Sequence, residues 1–68
     1  MKYEFKMLLA RAARSKGGDR YECFPKGADR PMVIYFPQEV SREGKSSPAE
    51  VIDIVVQPNF DTHLNEAK

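Results

Sequence analysis

Tryptophan is absent, and cysteine and histidine occur once each, as Cys23 and His63. A single cysteine excludes an intramolecular disulfide, and one histidine beside it leaves no ligand set for a structural zinc. A Cys-His catalytic pair would require His63, in the C-terminal tail, to fold back onto Cys23, which sits in the apolar run Tyr21-Glu-Cys-Phe24 and reads as a small buried hydrophobe. Long apolar runs are missing too. Met1-Lys-Tyr-Glu-Phe-Lys6 never develops the core of a signal peptide, and no stretch approaches the length of a membrane span. The expectation from these absences is a cytoplasmic protein with no membrane association.

Chemistry-bearing motifs are equally scarce. Gly17 and Gly18 stand outside any G-x-x-x-x-G-K-[ST] pattern, so no phosphate loop is present. Glu39, Glu43, Glu50 and Asp53 have neither glycosidase-like nor metal-ligand spacing. No enzyme activity, metal or cofactor is expected.

What is present is β-character. Met32-Val-Ile-Tyr-Phe36 and Val51-Ile-Asp-Ile-Val-Val56 are β-rich runs on either side of a polar stretch. Met32, Ile34 and Phe36 share one face and Val33 and Tyr35 the other, which predicts a central strand. Arg20-Tyr-Glu-Cys-Phe24 also has strand character. The paired glycines of Ser15-Lys-Gly-Gly-Asp19 predict a tight hairpin before it, and Pro25 to Pro31 a second turn. Residues 5–16 satisfy two periodicities: Tyr3, Phe5 and Met7 alternate as in a strand, whereas Phe5, Leu8, Leu9, Ala12 and Ala13 follow helical spacing. A helix there lacks a Ser/Thr/Asp/Asn start, which favours the strand. Pro37-Gln-Glu-Val-Ser-Arg42 suits one helical turn, and 59–68 reads as a flexible tail or a short helix docking through Phe60 and Leu64.

The fold class expected is therefore mainly β: a small antiparallel sheet or barrel of about four strands, with a short terminal helix as an option, in one domain spanning 1–58. With 68 residues and no staple, a chain buries only about 60% of its unfolded surface. Pairing of two chains into a homodimer is the expected supplement.

Charge is distributed unevenly. Residues 1–30 carry eight Lys/Arg against four Asp/Glu, and residues 31–68 carry three against six. The basic half gathers Arg11, Arg14, Lys16 and Arg20 around the glycine hairpin, and Lys26 and Arg30 on the next turn, with Tyr21, Phe24, Tyr35 and Phe36 nearby. Cations on loop rims interleaved with aromatics suit a phosphate backbone and stacked bases. At least two of the four aromatics are needed for packing in a chain this small. Tyr21 or Tyr35 is then the candidate stacking partner.

Val33-Ile-Tyr-Phe-Pro-Gln-Glu-Val-Ser-Arg42, with Gly44 and then Pro48-Ala-Glu-Val-Ile-Asp-Ile-Val55, resembles the AbrB/MazE-like swapped-hairpin family of DNA-binding regulators and antitoxins. The likeness covers roughly 25 residues. Its pattern is a strand ending in Ile-x-Ile/Leu-Pro, then x-Glu-Ile/Val-Arg, then a turn into alternating Val and Ile; here Phe36 replaces the last aliphatic residue and Ser41 a basic one. The resemblance implies an intertwined dimer that grips duplex DNA in transcription regulation, through Arg42 and Arg30 by position.

The function expected is noncatalytic binding of single-stranded or duplex DNA, through Arg11, Arg14, Lys16, Arg20, Tyr21, Lys26, Arg30, Tyr35 and Arg42. The alternative is a small interaction or inhibitory module that binds a partner protein through an exposed strand edge.

Overall fold

A computed structural model describes residues 1–60. The chain is mainly β, with strands β1 (Tyr3–Arg11), β2 (Asp19–Cys23), β3 (Met32–Phe36) and β4 (Val51–Val56), and one helical turn, α1 (Gln38–Ser41). All pairings are antiparallel, and the order β3-β2-β1-β4 curls into a half-barrel. The optional terminal helix and His63 lie outside the described residues, apart from Asn59 and Phe60, which have no regular structure.

The competition over residues 5–16 resolves as a strand up to Arg11, because β1 is hydrogen-bonded on both sides, and as loop beyond it. Its odd residues face the same way as Tyr21 and as Ile52 and Ile54: Leu9 stands opposite Tyr21, Met7 opposite Ile52 and Phe5 opposite Ile54. A helix would have offered those neighbours no ladder. Asp19, Tyr21 and Cys23 continue this inner face across β2, and Phe36, Ile34 and Met32 across β3.

β3 is an edge strand, not the central one its two apolar faces predicted. Its outward Val33 and Tyr35 are exposed, so apolar character on both faces here does not mean burial on both. β3 and β4, the two richest β-runs, lie at opposite edges and never touch through a ladder.

Pro37 ends β3 and starts α1. Its extended backbone leaves the sheet, and its carbonyl accepts from the Val40 and Ser41 N–H groups at 2.9 and 3.0 Å. The turn closes with Glu43 and Gly44 both at positive φ, 48° and 81°. From there the chain crosses the mouth of the half-barrel to β4, tied by Ala49 N–H to the Ser41 carbonyl at 2.8 Å.

Burial is graded along the inner face. Among the described residues Met7 and Tyr21 are the fully buried apolar side chains; Leu9 and Phe36 beside them are half-covered, as are Phe5, Cys23, Met32 and Ile54 toward the other end. Cys23 is thus a partly covered apolar neighbour and not a sealed core residue.

Candidate nucleic-acid interface

The β1–β2 connection is not a tight two-residue hairpin but a loop over residues 12–18. Gly17 provides the positive φ, at 109°. Gly18 serves another purpose: a Cβ there would meet the Phe36 carbonyl oxygen and the Tyr35 Cβ at 3.1 Å, tighter than ordinary contact, so glycine lets the loop lie close against the end of β3. From α1, the Gln38 amide donates to the carbonyls of Ser15 at 2.7 Å and Gly17 at 3.0 Å. The basic loop is therefore held in place from two sides.

The deeper anchor is Asp19, fully buried at the start of β2. Arg42 grips its carboxylate bidentately, Nε to Oδ2 at 3.1 Å and Nη2 to Oδ1 at 2.9 Å. The Ser41 hydroxyl donates to Oδ2 at 2.6 Å and the Ala13 N–H to Oδ1 at 2.8 Å. The hydrogen bonds from Arg42, then Ser41, then Ala13 hold this carboxyl far below the usual carboxylate range. Arg42 also donates to the carbonyls of Ala13 and Ser46, so one guanidinium ties the hairpin loop to the crossing segment. No buried side-chain nitrogen or oxygen among the described residues lacks a partner.

This geometry sorts the nine candidate residues. Tyr21 is a core residue: its ring meets Phe36 edge-on at 5.4 Å and its hydroxyl donates to the Ala49 carbonyl. Burial raises its pKa, and no base can stack on it without opening the fold. Arg42 is engaged by Asp19, with 17% of its side chain accessible. Lys26 and Arg30 sit on the β2–β3 turn, at the far end of β2 from the hairpin, roughly 16 Å along a strand of five residues.

Arg11, Arg20 and Tyr35 come together, for a reason no local pattern announces. Unbroken alternation would put Arg11 on the inner face with Met7 and Leu9. Between Leu9 and Arg11 the ladder slips by one residue, so that Arg11 stands opposite Arg20, which in turn stands opposite Tyr35. A bulge at Ala10 thus turns Arg11 outward into a row across three strands.

Arg20 donates to the Tyr35 hydroxyl at 3.3 Å, its guanidinium carbon lies 5.9 Å from that ring's centroid, and it pairs with Glu22 at 2.7 Å. The Arg11 and Arg14 side chains make no ion pair or hydrogen bond among the described residues. The two arginines, Ala12, Ala13, Gly18, Arg20 and Tyr35 line a depression of about 350 Å³. Lys16 borders the adjoining hollow beyond Tyr35, together with Gln38 and Glu39.

The described residues hold no group of three or more His, Cys, Asp or Glu that could bind a metal, and no helix long and apolar enough to cross a membrane. No protein family, curated protein or solved structure matches the chain.

Proposed function

We propose that the protein binds nucleic acid without catalysis, with phosphates on Arg11, Arg14 and Arg20, support from Lys16, and the Tyr35 ring as the platform for a base or sugar. The observation that carries this reading is the row Arg11, Arg20, Tyr35. Like charges set directly opposite each other across a ladder weaken a sheet. Glu22 neutralises one of the two arginines, and the second guanidinium is left to an anion from outside. An aromatic ring 54% exposed beside them supplies the flat apolar surface on which any base can stack.

The implied division of labour is that guanidinium groups set affinity and its salt dependence, while Tyr35 favours unpaired bases. The AbrB/MazE-like resemblance places the contacts elsewhere, on Arg42 and Arg30. Arg42 is held by a buried carboxylate and Arg30 lies at the opposite end of the sheet, so the hairpin set is the better supported choice.

Fluorescence anisotropy of labelled single-stranded and duplex oligonucleotides, at two salt concentrations, tests the proposal. Salt-sensitive binding that weakens in Arg11→Ala and Arg20→Ala supports it, and duplex-only binding fits a regulator of transcription. Absence of binding to either form at low salt refutes it.

A second reading, a module that recruits a partner protein by strand addition, is supported by the two open edges of the sheet. Under that reading the arginine substitutions alter association rate alone.

A further inference from the structure

The two open edges are guarded unequally. β3 is five residues long and bounded directly by Pro31 and Pro37, so it offers a short, blunted template. β4 contains neither proline nor lysine, and five of its six residues are β-branched. Its single charge, Asp53, is already paired with Lys6 of β1 at 2.8 Å.

The direction of the free backbone groups follows from one hydrogen bond. The Leu9 N–H donates to the Glu50 carbonyl at 2.9 Å. With the β1–β4 register, alternation turns the backbone groups of Ile52, Ile54 and Val56 toward β1 and those of Val51, Asp53 and Val55 outward. Val51 and Val55 are also exposed in their side chains, Val55 at 62%. Behind this edge, Ile52 and Ile54 of the inner face are only half-covered.

We propose that β4 pairs antiparallel with β4 of a second copy about a two-fold axis near the middle of the strand, joining two four-stranded sheets into one of eight. Such an edge is complementary to itself, because the two-fold axis sets the outward N–H groups of one copy against the outward carbonyls of the other. Each Asp53 arrives already neutralised by its own Lys6, so no net like charge meets across the join. Backbone pairing of one short strand alone falls below the area of about 1,000 Å² that a stable interface needs. Ile52, Ile54 and Val56 of both copies would adjoin as one apolar band on the inner face and add to it. These observations are separate from the basic end of the molecule, so the interface stands or falls independently of nucleic-acid binding.

Sedimentation velocity of the full chain across a concentration series reads the outcome. The expected result is a reversible dimer whose dissociation constant rises about tenfold or more in Val55→Pro, because each dimer loses two interchain hydrogen bonds while the ladder to β1 keeps all of its own. Val55→Thr, which keeps the N–H, dimerises like the parent chain. Should the proline variant fail to fold, Val55→Lys gives the same answer by placing an ammonium group on the edge, with the dimer weakened to a similar degree. A monomer at every concentration overturns the proposal, whether residues 61–68 or a foreign strand takes the edge. So does a dimer that Val55→Pro and Val55→Lys leave unchanged, since the contact then lies on β3 or the inner face.

Discussion

The two ends of the half-barrel hold themselves together by different means. At the hairpin end a buried carboxylate accepts four hydrogen bonds from three residues, Ala13, Ser41 and Arg42, and Gln38 grips the loop from α1. At the other end Phe5, Cys23, Met32 and Ile54 lie half-covered, and the β2–β3 turn is closed by one backbone bond, Ala28 N–H to the Pro25 carbonyl at 3.0 Å. A chain of this size has too little apolar surface to seal both ends. It orders one with polar contacts, and that is the end that carries Arg11 and Arg20.

The substitution expected to do most damage is Asp19→Ala, which leaves the Arg42 guanidinium without its counter-charge and the Ala13 N–H without its acceptor. Removing one member of a buried ion pair is strongly destabilising, and in a domain this small the melting temperature should fall by roughly 10–20 °C in a circular-dichroism melt. The counterpart at the open end, Phe24→Ser, removes a ring that is already exposed and should leave that temperature within about 2 °C.

Acid should separate the ends as well. The folded-state pKa of Asp19 is depressed, so its contribution is fully present above the ordinary value of 3.8 and is lost as pH falls below it toward the folded value. Melting temperatures measured from pH 7 to pH 2 should therefore drop more steeply on the acid side for the parent chain than for Asp19→Asn, which has no such proton to take up. Parallel curves would remove the carboxylate from its anchoring role.

Binding offers the same contrast. Arg11→Ala and Arg20→Ala should each weaken oligonucleotide affinity several-fold at low salt and lower the salt slope by about one ion. Lys26→Ala and Arg30→Ala, at the opposite end, should do neither. Equal effects from both pairs would mean that the whole sheet, and not the hairpin end, carries the ligand.

Smaller still is Tyr21→Phe. It deletes the hydroxyl bound to the Ala49 carbonyl but keeps the ring against Phe36, for an expected loss of about 1 kcal/mol by denaturant titration. Lys6→Ala removes an ion pair whose two side chains are about three-quarters exposed, 76% and 74%, and should leave the denaturation midpoint unchanged.

Much of this architecture is legible in the amino-acid sequence. Alternation placed β3 and β4 at the residue, because β-branched runs bounded by prolines leave the backbone few other choices. The helical turn after Pro37 followed from proline's fixed φ and its carbonyl at the start of a polar segment. The basic hairpin was visible as a cluster of like charge. Three features were not. The bulge at Ala10 leaves no mark in composition, yet it decides which way Arg11 points. Asp19 stood out only as the end of the glycine turn, since its partners Ser41 and Arg42 are more than twenty positions away. Tyr21 looked as available for stacking as Tyr35, because burial depends on the strand order and on the segment that crosses the barrel mouth.

By itself the amino-acid order determined the class of fold, the number and limits of most strands, and the gathering of positive charge in the first half of the chain. These depend on period-two alternation, on proline and glycine, and on charge count, all of which act within a few residues. Packing in three dimensions was needed to set β3 at an edge, to place Arg42 on the buried Asp19 carboxylate, and to bring Arg11, Arg20 and Tyr35 into one row. Those outcomes depend on register and on contacts between distant segments, where a slip of one residue reverses the face a side chain presents.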